Sequence, residues 1–151
     1  MKGIAFRSLV ANDVPELMKW HADPAISNRY GGAERPKMIL QTIQTDLNRS
    51  CLIVQEDKNT IAYVEIEKHP DEHVLWIGLV VNPDYQNRGY GKRILKMLLS
   101  SDYVQGFQEV RAGIEHDNEP SVRCFRSVGF VPMQEEPDEE GILDFIYTLE
   151  Y

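Results

Sequence analysis

A strand, a glycine-bearing turn and an amphipathic helix follow one another between Val74 and Leu99, and no other passage restricts the fold so tightly. Val74–Val81 is an apolar run of strand length and reads as a buried strand. A proline-containing turn follows at Asn82-Pro83-Asp84-Tyr85, after which Ile94, Leu95, Leu98 and Leu99 recur along one stripe of a helix. Glu109–Glu115 reads as the next strand. The centre of the chain is therefore a strand–helix–strand unit whose strands should run parallel through a right-handed crossover. Between the first strand and the helix lie Gly89 and Gly91, with Arg88, Lys92 and Arg93 beside them. Glycine lets the backbone bend tightly and turn successive N–H groups toward one point. A helix N-terminus adds unpaired donors and a positive dipole end, so the place suits a phosphate. The bland reading is that both glycines only end a loop. The spacing fits neither the dinucleotide fingerprint, which needs a third glycine, nor a Walker loop, which needs Gly-Lys-Ser/Thr.

With Gln86 included, the pattern is Gln-x-x-Gly-x-Gly after a strand, which resembles the acyl-CoA-binding motif of the GNAT superfamily of N-acyltransferases. A second stretch, Asn118 to Phe130, resembles that family's Asn-x-x-Ala-x-x-x-Tyr-x-x-x-Gly-Phe signature. Asn118, Gly129 and Phe130 match it, Ser121 replaces the alanine and Phe125 the tyrosine. Asn118 taken alone reads equally as a helix N-cap.

Composition sets wide bounds. The chain has 151 residues, 42% hydrophobic and 26% charged, which suits one soluble domain spanning 1–151. No apolar run reaches membrane-spanning length, and Met1-Lys2-Gly3-Ile4 lacks a signal-peptide apolar region, so a cytoplasmic location is expected. Cys51 and Cys124 form no metal-type cluster, so no metal is expected and both are read as reduced. A net charge of −8 argues against a nucleic-acid surface and favours a cationic partner.

The other elements read in order. Residues 3–10 form a first strand, and Asp13 with Glu16 spells a capping box for a helix carrying Val14, Leu17, Met18 and His21. That helix stops near Asp23-Pro24, and Ile26–Gly32 reads as a loop. Pro36 opens a helix with Leu40, Ile43 and Leu47 at helical spacing. Cys51–Gln55 and Thr60–Glu67 read as strands joined by a turn at Glu56-Asp57-Lys58-Asn59. Ser121–Ser127 reads as a short helix, and Phe130–Met133 with Ile142–Leu149 as a closing hairpin. The expected class is α+β, a mixed sheet. The resemblance specifies the GNAT fold, a six- to seven-stranded sheet flanked by about four helices.

The resemblance implies that acetyl-CoA is the co-substrate. Its pantetheine would pair with the backbone of Leu79, Val80 and Val81. Gln86, Asn87, Arg88, Gly89, Tyr90, Gly91 and Lys92 would hold the diphosphate, with Asn118 and Phe125 along the pantetheine arm. The amine attacks the thioester directly, and the Val81 N–H polarises the carbonyl. Three positions depart from the family pattern: Phe125 replaces the usual acid, and Leu75 and Gly113 stand at the usual base positions. Glu65 and Glu67, which share a strand face, are then candidates for the base, with His73, His116 and Asp117 as further options and water as the alternative; Glu65 is placed first because it follows Tyr63 on a strand.

Acceptor contacts are expected from Trp20, Tyr30, Glu67, Glu136 and Asp138. The last two lie in Gln134–Gly141, a loop with five acids and no base, which reads either as a solvated hairpin loop or as a collector for a polycationic amine. Trp20-His21-Ala22-Asp23-Pro24 and Arg29-Tyr30-Gly31-Gly32 resemble the N-terminal region of aminoglycoside 6′-N-acetyltransferases. The expected function is acetyl transfer to a small cationic amine. The alternatives are a protein or peptide acceptor, or a CoA-binding sensor without turnover. Neither nucleic acid nor membrane is an expected partner, and the chain is expected to be a monomer or homodimer.

Overall fold

The computed structural model describes residues 3–150. In chain order the elements are β1 (Ile4–Ser8), α1 (Val14–His21), α2 (Pro24–Tyr30), α3 (Arg35–Thr45), β2 (Arg49–Glu56), β3 (Asn59–His69), β4 (Val74–Val81), α4 (Tyr90–Leu99), β5 (Glu109–Glu115), α5 (Glu119–Ser127), β6 (Val131–Pro132) and β7 (Ile142–Thr148). The strands form one seven-stranded sheet in the order β1-β2-β3-β4-β5-β7-β6. Strands β4 and β5 are parallel, as the crossover rule requires, whereas the β1–β2, β2–β3, β5–β7 and β6–β7 pairs are antiparallel. The sheet is mixed, as expected. The described residues form five α-helices, in keeping with the expected number of about four.

The chain comprises two compact units. The first holds residues 1–67 and 79–90, the second residues 68–78 and 91–151. In the first, Cys51–Val54 of β2 and Ile61–Val64 of β3 are buried without alternation, as in strands covered on both faces. Leu17, Trp20, Ile26 and Ile39 from the three helices pack with Cys51, Ile53, Tyr63 and Val80. In the second unit, Ile94, Leu95 and Leu98 of α4 are fully buried, as are Val110 and Phe145. There Phe130 stands edge-on to Phe125 at 5.0 Å and lies 5.5 Å from Tyr147.

Three local expectations are corrected. Asp13 precedes α1 but makes no side-chain cap to it. Its carboxylate instead takes Arg7 at 2.6 and 2.8 Å and the Val10 N–H at 2.9 Å, because a guanidinium outcompetes a peptide N–H for a carboxylate. Residues 24–30, read mostly as loop, form α2: Pro24 opens the helix, Asp23 accepts from Ala25 N, and Gly31 at φ 96° ends it. Leu47 lies beyond the end of α3 and is exposed, while Pro36 and Ile39 are the residues that α3 buries.

Candidate functional site

In the first unit the end of β4 is fastened by Asn82. Its N–H donates to Ile61 O at 2.8 Å and its amide to Thr60 O at 3.0 Å, while its Oδ1 accepts from Asp84 N at 3.0 Å. Gln86 then folds back to donate to Val81 O at 3.3 Å. Beyond it, Asn87 has φ 61° and Gly89 φ 80°, with Arg88 between them outside the left-handed region. Alternating backbone hand of this kind turns successive N–H groups into one concavity suited to an anion. A Cβ at Gly89 would meet nothing within 4 Å, so only the backbone conformation asks for glycine and the space above it is open. Tyr90 anchors the loop by donating to Glu56 Oε1 at 2.7 Å and by standing edge-on to Tyr85 at 5.6 Å. Arg88 covers the other aromatic, its guanidinium carbon 5.5 Å from the Tyr85 ring centre. Gly91 and Lys92 follow directly in the first turn of α4.

The Asn118 region lies in the second unit. Asn118 occupies the N-cap position of α5, but its side chain makes no capping bond. Phe125, at the tyrosine position of the signature, is buried, with its ring edge-on to Phe130. Gly129 meets two demands: its φ is 110°, and a Cβ would stand 3.1 Å from the Tyr147 ring. Burial raises the Cys124 thiol above its ordinary value, and Lys92 opposes that.

The predicted acceptor and base residues divide between the units. In the first, Glu65 is held by Arg35, whose NH2 donates to both carboxylate oxygens at 2.9 and 3.1 Å. Glu67 pairs with Arg49 at 3.1 Å. Trp20 is buried and stacks on Tyr63 at 6.2 Å, so its ring serves the core, and Tyr30 is half-buried against the same cluster. In the second, His73 is exposed at φ 58°, its carbonyl accepting from Gln108 and Glu109 N–H groups. Glu136 is exposed, while Asp138 Oδ1 organises its own loop by accepting from Glu140 N and Ile142 N, each at 2.9 Å.

Two arrangements were missed in the sequence. His21 is buried, with Nδ1 2.6 Å from Gly31 O and Nε2 2.8 Å from the Tyr63 hydroxyl. A carbonyl can only accept, which assigns the proton to Nδ1 and makes Nε2 of the neutral ring the acceptor of the tyrosine O–H. Burial and then Glu65 push Tyr63 well above the ordinary phenol value, so its hydroxyl keeps its proton. The second is Asp144 on β7, whose carboxyl faces Gly113. Strand periodicity gave the face of each residue, but the pairing needs the register.

Among the described residues, no group of His, Cys, Asp and Glu is placed to hold a metal, and no helix is long and apolar enough to cross a membrane. The β4–β5 register runs Val74↔Glu109, Leu75↔Val110, Trp76↔Arg111 and ends there, although both strands continue. Residues 14–130 match the Acetyltransferase (GNAT) family, and the chain belongs to it.

Its similarities are consistent with that. Over 75 residues it is 44% identical to the uncharacterized N-acetyltransferase YfmK of Bacillus subtilis (strain 168), covering 50% of this chain and 51% of the relative. The chain thus spans about half the length of the curated relatives it matches. Its fold resembles spermidine N-acetyltransferase from Vibrio cholerae in complex with CoA and spermine, with a TM-score of 0.83, 15% identity and coverage of 97% and 95% of the two chains. It also resembles the aminoglycoside acetyltransferase AAC(6′)-Ib in complex with coenzyme A, with a TM-score of 0.81, 14% identity and the same two coverages.

Proposed function

We propose that this chain is an N-acetyltransferase that moves the acetyl group of acetyl-CoA to a primary amine of a small cationic acceptor, by direct attack in a ternary complex. The observation that carries the reading is the Asn87–Gly89 concavity at the start of α4, with open space above Gly89. Backbone N–H groups from Gln86 to Lys92 would take the diphosphate, and the exposed Arg88 and Lys92 would supply counter-charge. The backbone of Leu79, Val80 and Val81 would carry the pantetheine, with the Val81 N–H on the thioester oxygen. In the second unit, Asn118 at the start of α5 would hold the pantetheine arm, the role that its place in the Asn118–Phe130 signature supports.

A cationic acceptor follows from the loop 134–141, in which Glu135, Glu136, Asp138, Glu139 and Glu140 carry the charge and no basic residue intervenes. Such a loop attracts a polyamine or an aminoglycoside more strongly than a neutral amine. Tyr30 and Glu67 would complete the acceptor contacts from the first unit. A second reading, acetyl-CoA binding without turnover, draws on Phe125, which gives the leaving thiolate no proton and is packed in the core.

One experiment separates the two. Free thiol release is followed with acetyl-CoA and a panel of polyamines, aminoglycosides, amino acids and peptides. Amine-dependent release establishes the transferase and ranks the acceptors. Binding of acetyl-CoA with no release on any amine selects the second reading, and absence of binding removes both.

A further inference from the structure

We propose that Asp144 is the base that takes the proton of the incoming amine, beside Gly113 where β4 and β5 part. The proposal rests on the transferase reading above and names a residue of that reaction. Across the β5–β7 ladder Asp144 is the direct partner of Gly113. A Cβ placed on Gly113 would press on Ile142 Cγ2 at 3.2 Å and touch Asp144 Oδ1 at 3.4 Å, an ordinary contact distance, so a side chain there would lie over the carboxylate. Glycine leaves it uncovered, and Gly113 is itself exposed. The last β4–β5 pair, Trp76↔Arg111, lies two residues earlier on the same face of β5.

Arg111 is the cation that would ordinarily neutralise Asp144, but it is otherwise engaged. Its guanidinium donates to Glu109 at 2.7 and 3.1 Å and lies 5.9 Å from the Trp76 ring centre. Among the described residues, the Asp144 carboxylate has no hydrogen bond or ion pair, although it is partly shielded from water. Burial, and then Asp138 in the loop before β7, raise its proton affinity above that of an ordinary aspartate, against a smaller opposing effect of Arg111. A shielded carboxylate without a counter-ion gains one when an ammonium arrives, and its raised affinity brings it closer to the amine it must deprotonate.

One ammonium proton passes to Asp144, and the nitrogen lone pair so exposed attacks the thioester carbonyl carbon. The C–S bond then breaks with its electron pair on sulfur. The nitrogen loses its second proton, through solvent, to the thiolate. The products are the acetamide and the CoA thiol, and Asp144 returns its proton to water.

The test compares the wild type with Asp144→Asn, Asp144→Glu and Glu65→Gln on the best amine of the panel, following kcat, kcat/KM against pH, and acetyl-CoA affinity. Asp144→Asn should lower kcat by about 100-fold or more and abolish the acid limb of kcat/KM, with acetyl-CoA binding unchanged. Asp144→Glu should recover part of the rate. If Asn at this position prevents folding, Asp144→Ala assayed with added formate takes its place, and rescue by formate is the expected result. A rate within about threefold of wild type with the acid limb intact overturns the proposal while leaving the transferase reading standing. So does loss of that limb in Glu65→Gln alone. A wild type that binds acetyl-CoA but acetylates no amine removes the transferase reading and this proposal with it.

Discussion

His21 Nε2 and the Tyr63 hydroxyl lie 2.8 Å apart in the core of the first unit, joining α1 to β3 across 42 residues of sequence. With its proton fixed on Nδ1 by Gly31 O, the imidazole can only accept at Nε2 while neutral, and Tyr63 is its donor. Tyr63→Phe keeps the ring that stacks on Trp20 but leaves a buried acceptor without a partner. The expected loss of stability is about 1–3 kcal/mol, read from the urea midpoint at neutral pH. His21→Leu in the same background should recover part of it, since an apolar pair leaves nothing unsatisfied. An unchanged midpoint in Tyr63→Phe would mean that water replaces the hydroxyl.

Arg7 and Asp13 give a pH-dependent prediction. The hydrogen bonds from Arg7 hold Asp13 below the ordinary aspartate value, against a smaller cost of burial. A depressed carboxylate contributes stability that is present above its unfolded value and is lost as pH falls through the folded one. Asp13→Asn should therefore destabilise the chain at pH 7 by about 1 kcal/mol, the modest worth of a partly exposed pair. The two proteins should converge in acid, below the ordinary aspartate range. A difference that persists unchanged there would point to packing instead of charge.

The contrast between these pairs and the central passage explains what the sequence made legible. Val74–Val81 and Glu109–Glu115 are strands over the same residues that the apolar pattern marked, because both signals are local and tertiary packing reinforces them. Residues 24–30 were misread although Asp23 and Pro24 are good helix-start signals, since Asn28, Gly31 and Gly32 weigh toward a loop in any short window. Asp13 failed as a cap because its competitor, Arg7, sits on another element. Leu47 continued a helical period that the backbone had already ended. The loop from Gln86 to Lys92, proposed above as a phosphate cradle, could be singled out because its residues are consecutive. Asp144 could not, because its meaning depends on which residue of β5 it faces.

Gly89 separates folding from binding. Its φ of 80° makes any side chain costly by about 1 kcal/mol, yet a Cβ there would meet no atom within 4 Å. Gly89→Glu should thus fold, with an unchanged far-ultraviolet circular dichroism spectrum. Its carboxylate would face the diphosphate, and the acetyl-CoA dissociation constant should rise by about tenfold or more. Calorimetric titration measures it, and an unchanged affinity would remove the phosphate-cradle assignment.

Gly129 should behave in the opposite way. Its φ of 110° opposes a side chain, and so does the half-buried Tyr147 ring, which would stand 3.1 Å from an added methyl and is itself held against Phe130. Gly129→Ala should cost about 2 kcal/mol or more in urea unfolding, the sum of backbone strain and an overpacked ring. Gly129→Ala/Tyr147→Leu should recover the part due to the ring. If the double variant is no better than the single one, the backbone alone sets the requirement.

The acidic loop yields a prediction in ionic strength. Asp138 is structural there, since its Oδ1 takes the N–H groups of Glu140 and Ile142, but Glu136, Glu139 and Glu140 are exposed, and with Glu135 they are available to a field. Exposed charges act over a Debye length of about 10 Å at 0.1 M salt and far less at 1 M. For a polyamine, kcat/KM should therefore fall as salt rises, and fall more steeply than for a monoamine of similar size. Replacing those four glutamates by glutamine should flatten the polyamine's slope and leave acetyl-CoA affinity unchanged. Because steering acts before chemistry, kcat at saturating amine should also be unchanged. An equal salt slope in both proteins would reduce the loop to a solvated hairpin and leave the cationic acceptor without its main support.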